Sequence, residues 1–221
     1  MKTITLNATV TASNEKDAEA LRTRMRESGT LLINVMSSPG AGKTTLLSRL
    51  IRDLPELKIA VMEADIESDV DAKRIEALGA RSIQVHTSGM CHMDAGMTAA
   101  AWESICAPDT DLVFLENVGN LICPAEYDTG AGLNVMLLSV PEGDDKPLKY
   151  PLMFQKSDAL IITKTDTLNY FSFDPDKCEE RARKLNPDIA VFPLSAKSGA
   201  GMEALEVWIR SCVKTWKTNR V

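Results

Sequence analysis

No apolar run in the 221-residue chain approaches the ~18 residues that a membrane-crossing helix requires, and the opening Met1-Lys2-Thr3-Ile4-Thr5-Leu6 has no signal-peptide core. The expectation is a soluble, cytoplasmic protein with no membrane partner. No Pro/Ser/Gly-rich linker, internal repeat or low-complexity tract divides the chain, so a single domain is the simplest organisation. A domain of this length buries about 70% of its unfolded surface and needs no disulfide or metal merely to fold. Positive charge is not in excess. The formal net charge is −6 with Lys and Arg scattered, which argues against nucleic acid as the main partner. Histidine is scarce, at two residues, and the five cysteines are an odd number. That count suits free thiols or metal ligands in a reducing compartment better than a disulfide framework.

What is present is a phosphate loop. Leu31-Leu32-Ile33-Asn34-Val35-Met36 is an apolar run of strand length, and Ser37-Ser38-Pro39-Gly40-Ala41-Gly42-Lys43-Thr44-Thr45 follows it. Small residues let the backbone N–H groups curl around phosphate oxygens, Lys43 reaches the β and γ phosphates, and the Thr44 hydroxyl holds Mg²⁺. Ser37 stands where the G-x-x-x-x-G-K-[ST] pattern has its first Gly. Residues 45–54 have apolar positions at helical spacing, which aims the positive end of a helix at the phosphates.

The remaining pattern alternates. Residues 14–27 predict a surface helix with Ala18, Leu21 and Met25 on one stripe, closed by Gly29. Strands are predicted at 58–65, 82–86, 111–119, 135–140, 159–163 and 189–194, and helices at 72–78, 93–106, 148–156, 175–185 and 201–216. Near-continuous apolar strands alternating with helices predict an α/β P-loop fold, a mostly parallel sheet covered on both faces. Residues 1–30 read as an extension and 31–221 as the nucleotide-binding unit.

In such a sheet, ligands sit at the carboxyl ends of the strands, where Asp65, Glu116, Thr163-Lys164-Thr165-Asp166 and Ser195-Ala196-Lys197 fall. Guanine offers an N–H and an amino group that one carboxylate accepts together, and adenine does not. Asp166 is the natural acceptor, with Lys164 along the base plane and Ser195, Ala196 and Lys197 closing over the O6 edge. The alternative is a pair of surface turns with ordinary charges. Thr163 occupies the place where the usual motif has Asn, a departure that bears on the loop's supporting hydrogen bonds. Asp65 and Asp71 belong to the segment expected to face the γ phosphate, and Glu116 with Gly119 forms an acid-x-x-glycine element. Thr44, Asp65, Asp71 and Glu116 are therefore the Mg²⁺ candidates, with Lys43, Asp65 and Glu116 the catalytic ones.

Cys91-His92 and Cys123 form a second constellation. Thiolate and imidazole suit nickel or zinc, and the positive end of the helix after His92 lowers a thiol pKa. Two or three ligands leave the shell incomplete, which suggests a site shared across a two-fold dimer. Free cysteines are also commonly small buried hydrophobes, the reading preferred for Cys106, Cys178 and Cys212. His86 is expected to be structural.

With these residues assembled, the chain resembles the HypB family of GTPases, which assist nickel insertion during maturation of nickel-iron hydrogenases. The likeness runs over about residues 31 to 210. It is carried by Ser37 to Thr44, Asp71-Ala72-Lys73-Arg74-Ile75, Gly89-Met90-Cys91-His92-Met93-Asp94-Ala95, Glu116-Asn117-Val118-Gly119-Asn120-Leu121-Ile122-Cys123-Pro124, and Glu142 to Pro151. The resemblance implies a slow, metal-regulated GTP hydrolase and metallochaperone binding GTP or GDP with Mg²⁺ and Ni²⁺ or Zn²⁺. Cys91, His92 and Cys123 would form a metal site at a GTP-dependent homodimer interface. Implied partners are a HypA-type nickel chaperone and the hydrogenase large-subunit precursor. Residues 1–30 hold neither Cys nor His, so tight nickel storage is not expected. Rival readings are a small-molecule kinase, a metal buffer with a structural nucleotide, and the related GTPase that serves urease.

Overall fold

The computed structural model describes residues 6–65, 75–87 and 89–219. Its centre is β1 (Leu31–Ser37), buried along its whole length, as the near-continuous apolar run requires. Six more strands flank it: β2 (Ile59–Asp65), β3 (Arg81–His86), β4 (Leu112–Glu116), β5 (Leu133–Ser139), β6 (Ala159–Thr163) and β7 (Ala190–Pro193). The seven-stranded sheet has the order β3-β2-β4-β1-β5-β6-β7, and each pairing is parallel. The helices are α1 (Leu6–Ser28), α2 (Lys43–Asp53), α3 (Ala95–Ile105), α4 (Cys123–Glu126), α5 (Lys146–Lys149), α6 (Pro151–Gln155), α7 (Pro175–Leu185) and α8 (Met202–Thr218). Among the described residues, no helix is long and apolar enough to cross a membrane.

Period-two alternation divides β1 between two faces. Leu31, Ile33 and Val35 pack with Leu46, Leu47 and Leu50 of α2 and with Leu205, Ile209 and Val213 of α8. On the other face, Leu32 joins Leu21 and Met25 of α1 and Trp102 of α3. Met36, on that same face, joins Met153 and Phe154 of α6 with Cys178 and Ala182 of α7. Asn34 lies between Leu32 and Met36, 1% exposed, at the seam of these two apolar clusters. Each fully buried Leu or Phe stabilises the sheet sandwich by about 1.5–3 kcal/mol.

Most boundaries fall within two residues of the sequence expectation, and three elements depart further. The first helix begins at Leu6 rather than residue 14, because neither Gly nor Pro interrupts residues 6–13. The helix expected over 148–156 is two short helices. Pro151 has no N–H to continue the first, so α5 stops at Lys149 and α6 starts afresh. The strand expected over 111–119 ends at Glu116; Asn117 N–H makes a last bond to the Val35 carbonyl of β1, and Val118 and Gly119 then leave the ladder along the wall of a cavity. Asp71 and the first three residues of the helix expected at 72–78 lie outside the described residues.

Candidate nucleotide site and metal cluster

The phosphate loop forms where β1 ends. Gly40 (φ 74°) and Gly42 (φ 100°) turn the backbone through the left-handed region, which glycine enters without strain. A Cβ at Gly40 would meet nothing within 4 Å, so glycine serves the backbone conformation there rather than making room. The Lys43 Nζ donates to Ser37 Oγ at 3.1 Å, so the serine that departs from the motif supplies the lysine with a partner. The Thr44 hydroxyl donates to Glu116 Oε1 at 3.0 Å. These residues open onto a cavity of about 510 Å³, within the range of small-ligand sites. Pro39, Gly40, Gly42, Lys43, Thr44 and Thr45 line one side and Glu116 to Gly119 the other. Ala41 is fully buried beneath the loop.

Gly119 meets Pro39 with no clearance: a Cβ at 119 would lie 2.9–3.0 Å from the proline ring and its backbone. Of the Mg²⁺ candidates, Thr44 and Glu116 are brought together, and Asp65 closes β2. Hard oxygen donors at the mouth of a phosphate loop fit a magnesium ion. A further acid was missed by sequence reasoning. Glu63 stands in register with Glu116 across β2 and β4, is 3% exposed, and lines the same cavity. Its signal was a lone carboxylate inside the apolar run Val61-Met62-Glu63-Ala64. Glu142 was also passed over. It closes a capping box with Ser139 at the end of β5 and accepts a hydrogen bond from Ser38 Oγ, stapling that strand end to the phosphate loop.

Lys164 follows β6 at φ 59°, the only non-glycine with positive φ among the described residues. Its Nζ reaches over the loop to the Gly40 carbonyl at 2.7 Å. At the place where the usual motif has Asn, the Thr163 hydroxyl donates to the Ala41 carbonyl at 2.7 Å. Asp166 lies in the turn Thr165–Tyr170, and Thr165 N–H donates to the Leu194 carbonyl, tying that turn to the loop of Ser195, Ala196 and Lys197. Lys164 lines the phosphate cavity, whereas Asp166 and Ser195 to Lys197 lie beyond its walls.

The second constellation assembles from two loops. Cys91 and Cys123 place their sulfurs 2.7 Å apart, and Cys91 Sγ lies 3.8 Å from His92 Nδ1. One ligand atom from each of the three residues falls within 4.8 Å of the others, and all three side chains are half-buried. The His92 ring stacks on Tyr127 at 3.7 Å. Asn120 accepts from the N–H groups of Ile122 and Cys123 and so sets the start of α4. Burial lowers the His92 pKa against the pull of Asp94 and Glu126, keeping a neutral ring with a lone pair to offer. The helix after His92 is capped by Asp94, whose carboxylate accepts from Met97 N–H, and the adjacent Cys91 thiol, with burial, raises the Cys123 pKa. Two sulfurs and one imidazole fit a soft or borderline metal but leave at least one coordination position for another donor.

The cysteines set aside as core stay apart. Cys178 is fully buried with its thiol pushed up to about 12, and burial also raises Cys106 and takes Cys212 to about 11. His86 ends β3, away from the cluster.

Residues 31–193 match the model of the CobW/HypB/UreG nucleotide-binding domain. The chain is 45% identical over 201 residues to the hydrogenase maturation factor HypB of Azotobacter chroococcum, covering 90% of this chain and 66% of that protein. It thus spans about two thirds of the length of that relative. The hydrogenase/urease maturation factor HypB of Helicobacter hepaticus is 42% identical over 200 residues, covering 89% of this chain and 82% of its own length. The crystal structure of HypB from Helicobacter pylori in complex with nickel superposes with a TM-score of 0.87 at 37% identity, covering 92% of this chain and 96% of that one.

Proposed function

This chain belongs to the HypB branch of the CobW/HypB/UreG nucleotide-binding family, and from that premise we propose that it is a guanine-nucleotide hydrolase and nickel metallochaperone for hydrogenase maturation. One observation carries the reading. The segment from Glu116 to Cys123 has one end on the Thr44 hydroxyl at the phosphate loop and the other in the Cys91–His92–Cys123 cluster. A change at the γ phosphate therefore has a short, packed route to the metal donors.

In this reading Gly40, Ala41, Gly42, Lys43, Thr44 and Thr45 cradle the phosphates. Asp166 takes the guanine edge while Lys164 and Ser195 to Lys197 frame it. Thr44 and Glu116, with Asp65 and Asp71 on the neighbouring segment, would hold Mg²⁺, whose charge offsets that of the phosphates. Lys43 neutralises charge developing on the γ phosphate, and the carboxylates orient an in-line water. No strong general base is assigned among the described residues, so intrinsic turnover is expected to be slow. Nickel is the cargo, and zinc has ligand preferences that the same donors meet. The unfilled coordination position supports completion of the shell by a second copy in the GTP-bound dimer. Hand-over would proceed through a HypA-type chaperone to the hydrogenase large-subunit precursor in the cytoplasm.

The test is a nickel titration with GDP and with a non-hydrolysable GTP analogue. The expected result is at least a tenfold difference in affinity, lost in Cys123→Ala, while Lys43→Ala abolishes GTP turnover. Identical curves in the two states would leave a metal buffer with a structural nucleotide, and near-normal turnover by Lys43→Ala would remove the phosphate assignment.

A further inference from the structure

Three amides, Asn34 and Asn117 buried and Asn134 half-buried, cross the sheet in a line. Asn134 of β5 and Asn34 of β1 are paired in register, and Asn34 Nδ2 donates to Asn134 Oδ1 at 2.9 Å. Asn117, immediately after β4, donates through Nδ2 to Asn34 Oδ1 at 3.0 Å. At the far end Asn117 Oδ1 accepts two backbone donors, its neighbour Val118 N–H at 2.9 Å and Met93 N–H at 3.2 Å. Those two N–H groups can only donate, so they dictate which way the Asn117 amide faces. Asn117 in turn fixes Asn34, and Asn34 fixes Asn134. Asn34 and Asn117 are each 1% exposed, and the line occupies the seam between the apolar clusters on either side of it. Polar groups buried this deeply are costly unless satisfied, so the line tolerates little displacement of its members.

The position of Asn117 gives the line a meaning beyond packing. Its backbone joins Glu116, which receives the Thr44 hydroxyl, to Val118 and Gly119 on the wall of the phosphate cavity. Its side chain holds the backbone N–H of Met93, the residue after His92, across 24 positions of sequence. The geometry points to Asn117 as the positioning residue that transmits movement of the cavity wall to the Cys91-His92 loop, with Asn34 and Asn134 as the brace that keeps its amide from turning. This rests on the nucleotide-coupled metal reading above and names the side chain that carries the coupling. A shift of the 117–119 segment pulls the Met93 N–H with it and moves His92 relative to Cys123. Loss of the Asn117 side-chain carbonyl removes the hydrogen bond that joins the cavity wall to the Met93 backbone.

Two readouts on the full-length chain test this separately from the function. At saturating nucleotide, nickel affinity is measured with GDP and with the non-hydrolysable GTP analogue, and hydrogen exchange of the Met93 amide is followed in the same two states without metal. In the wild type the affinity ratio is expected to be tenfold or more, and Met93 protection to differ between states. Asn117→Ala is expected to bring the ratio within about twofold of one and to erase the protection difference. Asn117→Asp keeps an acceptor for Met93 and is expected to hold the ratio within about threefold of wild type. Asn34→Ala, should Asn117→Ala not fold, is expected to reduce the ratio about threefold. A full ratio in Asn117→Ala overturns the inference, as does Met93 protection indifferent to nucleotide in the wild type. Met93 protection that follows the nucleotide and is lost in Asn117→Ala, with nickel affinity constant throughout, upholds the link and sinks the metallochaperone reading instead.

Discussion

Thr163, 4% exposed, holds the carbonyl of Ala41 beneath the phosphate loop through its hydroxyl from the end of β6, two strands away from β1. Thr163→Val keeps the shape and removes the donor, leaving a buried carbonyl without that partner, at a cost of about 1–3 kcal/mol shared between fold and bound state. Guanine-nucleotide affinity by calorimetry is expected to fall about tenfold, and an unchanged affinity would show that the bond does not brace the loop. That the position mattered was legible in the sequence, since it opens the segment expected to read the base, but the acceptor it would find was not. A motif records residue types along the chain, whereas hydrogen bonds are settled by distances between segments; here 122 positions separate the two partners. Glu63 escaped for a related reason. An acid in an apolar strand signals burial, yet only the register of β2 against β4 sets it beside Glu116.

Helix α1 is bound to the sheet by more than its apolar stripe. Ala18, Leu21 and Met25 are all but fully buried, as their spacing predicts. Arg22 adds a two-pronged ion pair to Asp128, with both N···O distances 2.9 Å, and Asn14 bridges the Asp128 carbonyl and the Ala95 N–H at the start of α3. The loop gripped in this way begins at Tyr127, the ring under His92. Burial alone would raise the Asp128 pKa, but the Arg22 fork and the Gly130 N–H outweigh it and hold the carboxyl below its ordinary value. The stabilisation is therefore complete above about pH 4, near the unfolded pKa, and is lost as pH falls through the lower folded value. Arg22→Ala is expected to cost about 1–2 kcal/mol in urea unfolding at pH 7, moderated by the 38% exposure of the Asp128 side chain. The gap between wild type and variant should narrow below pH 4; a gap constant down to pH 3 would show that packing rather than charge accounts for it. The stripe was legible because helical period is a local property. The Arg22–Asp128 pair was not, because nothing near either residue in sequence announces its partner.

At the scale of the molecule, the parallel sheet collects the loops carrying the candidate residues along one edge, and that much followed from alternating apolar runs and helices. The strand order, with β4 between β1 and β2, is what makes the phosphate loop and the Glu116 segment neighbours, and no local pattern encodes it. Beside the cluster, Ile122 and Met90 are 56% and 40% exposed, an apolar rim on an incomplete set of metal donors. Sedimentation of the 24.2 kDa chain is expected to shift towards twice that mass with the GTP analogue and nickel, and Ile122→Asp to prevent the shift. A monomer under all conditions would assign the missing ligand to another protein or to solvent. The contact of Gly119 with Pro39 bears on how such a change would proceed. A Cβ at 119 would fall on the Pro39 ring and backbone, so the wall and the phosphate loop can approach this closely only with glycine there. In the proposed coupling, any movement of Pro39 would therefore press directly on the wall segment that leads to Cys123.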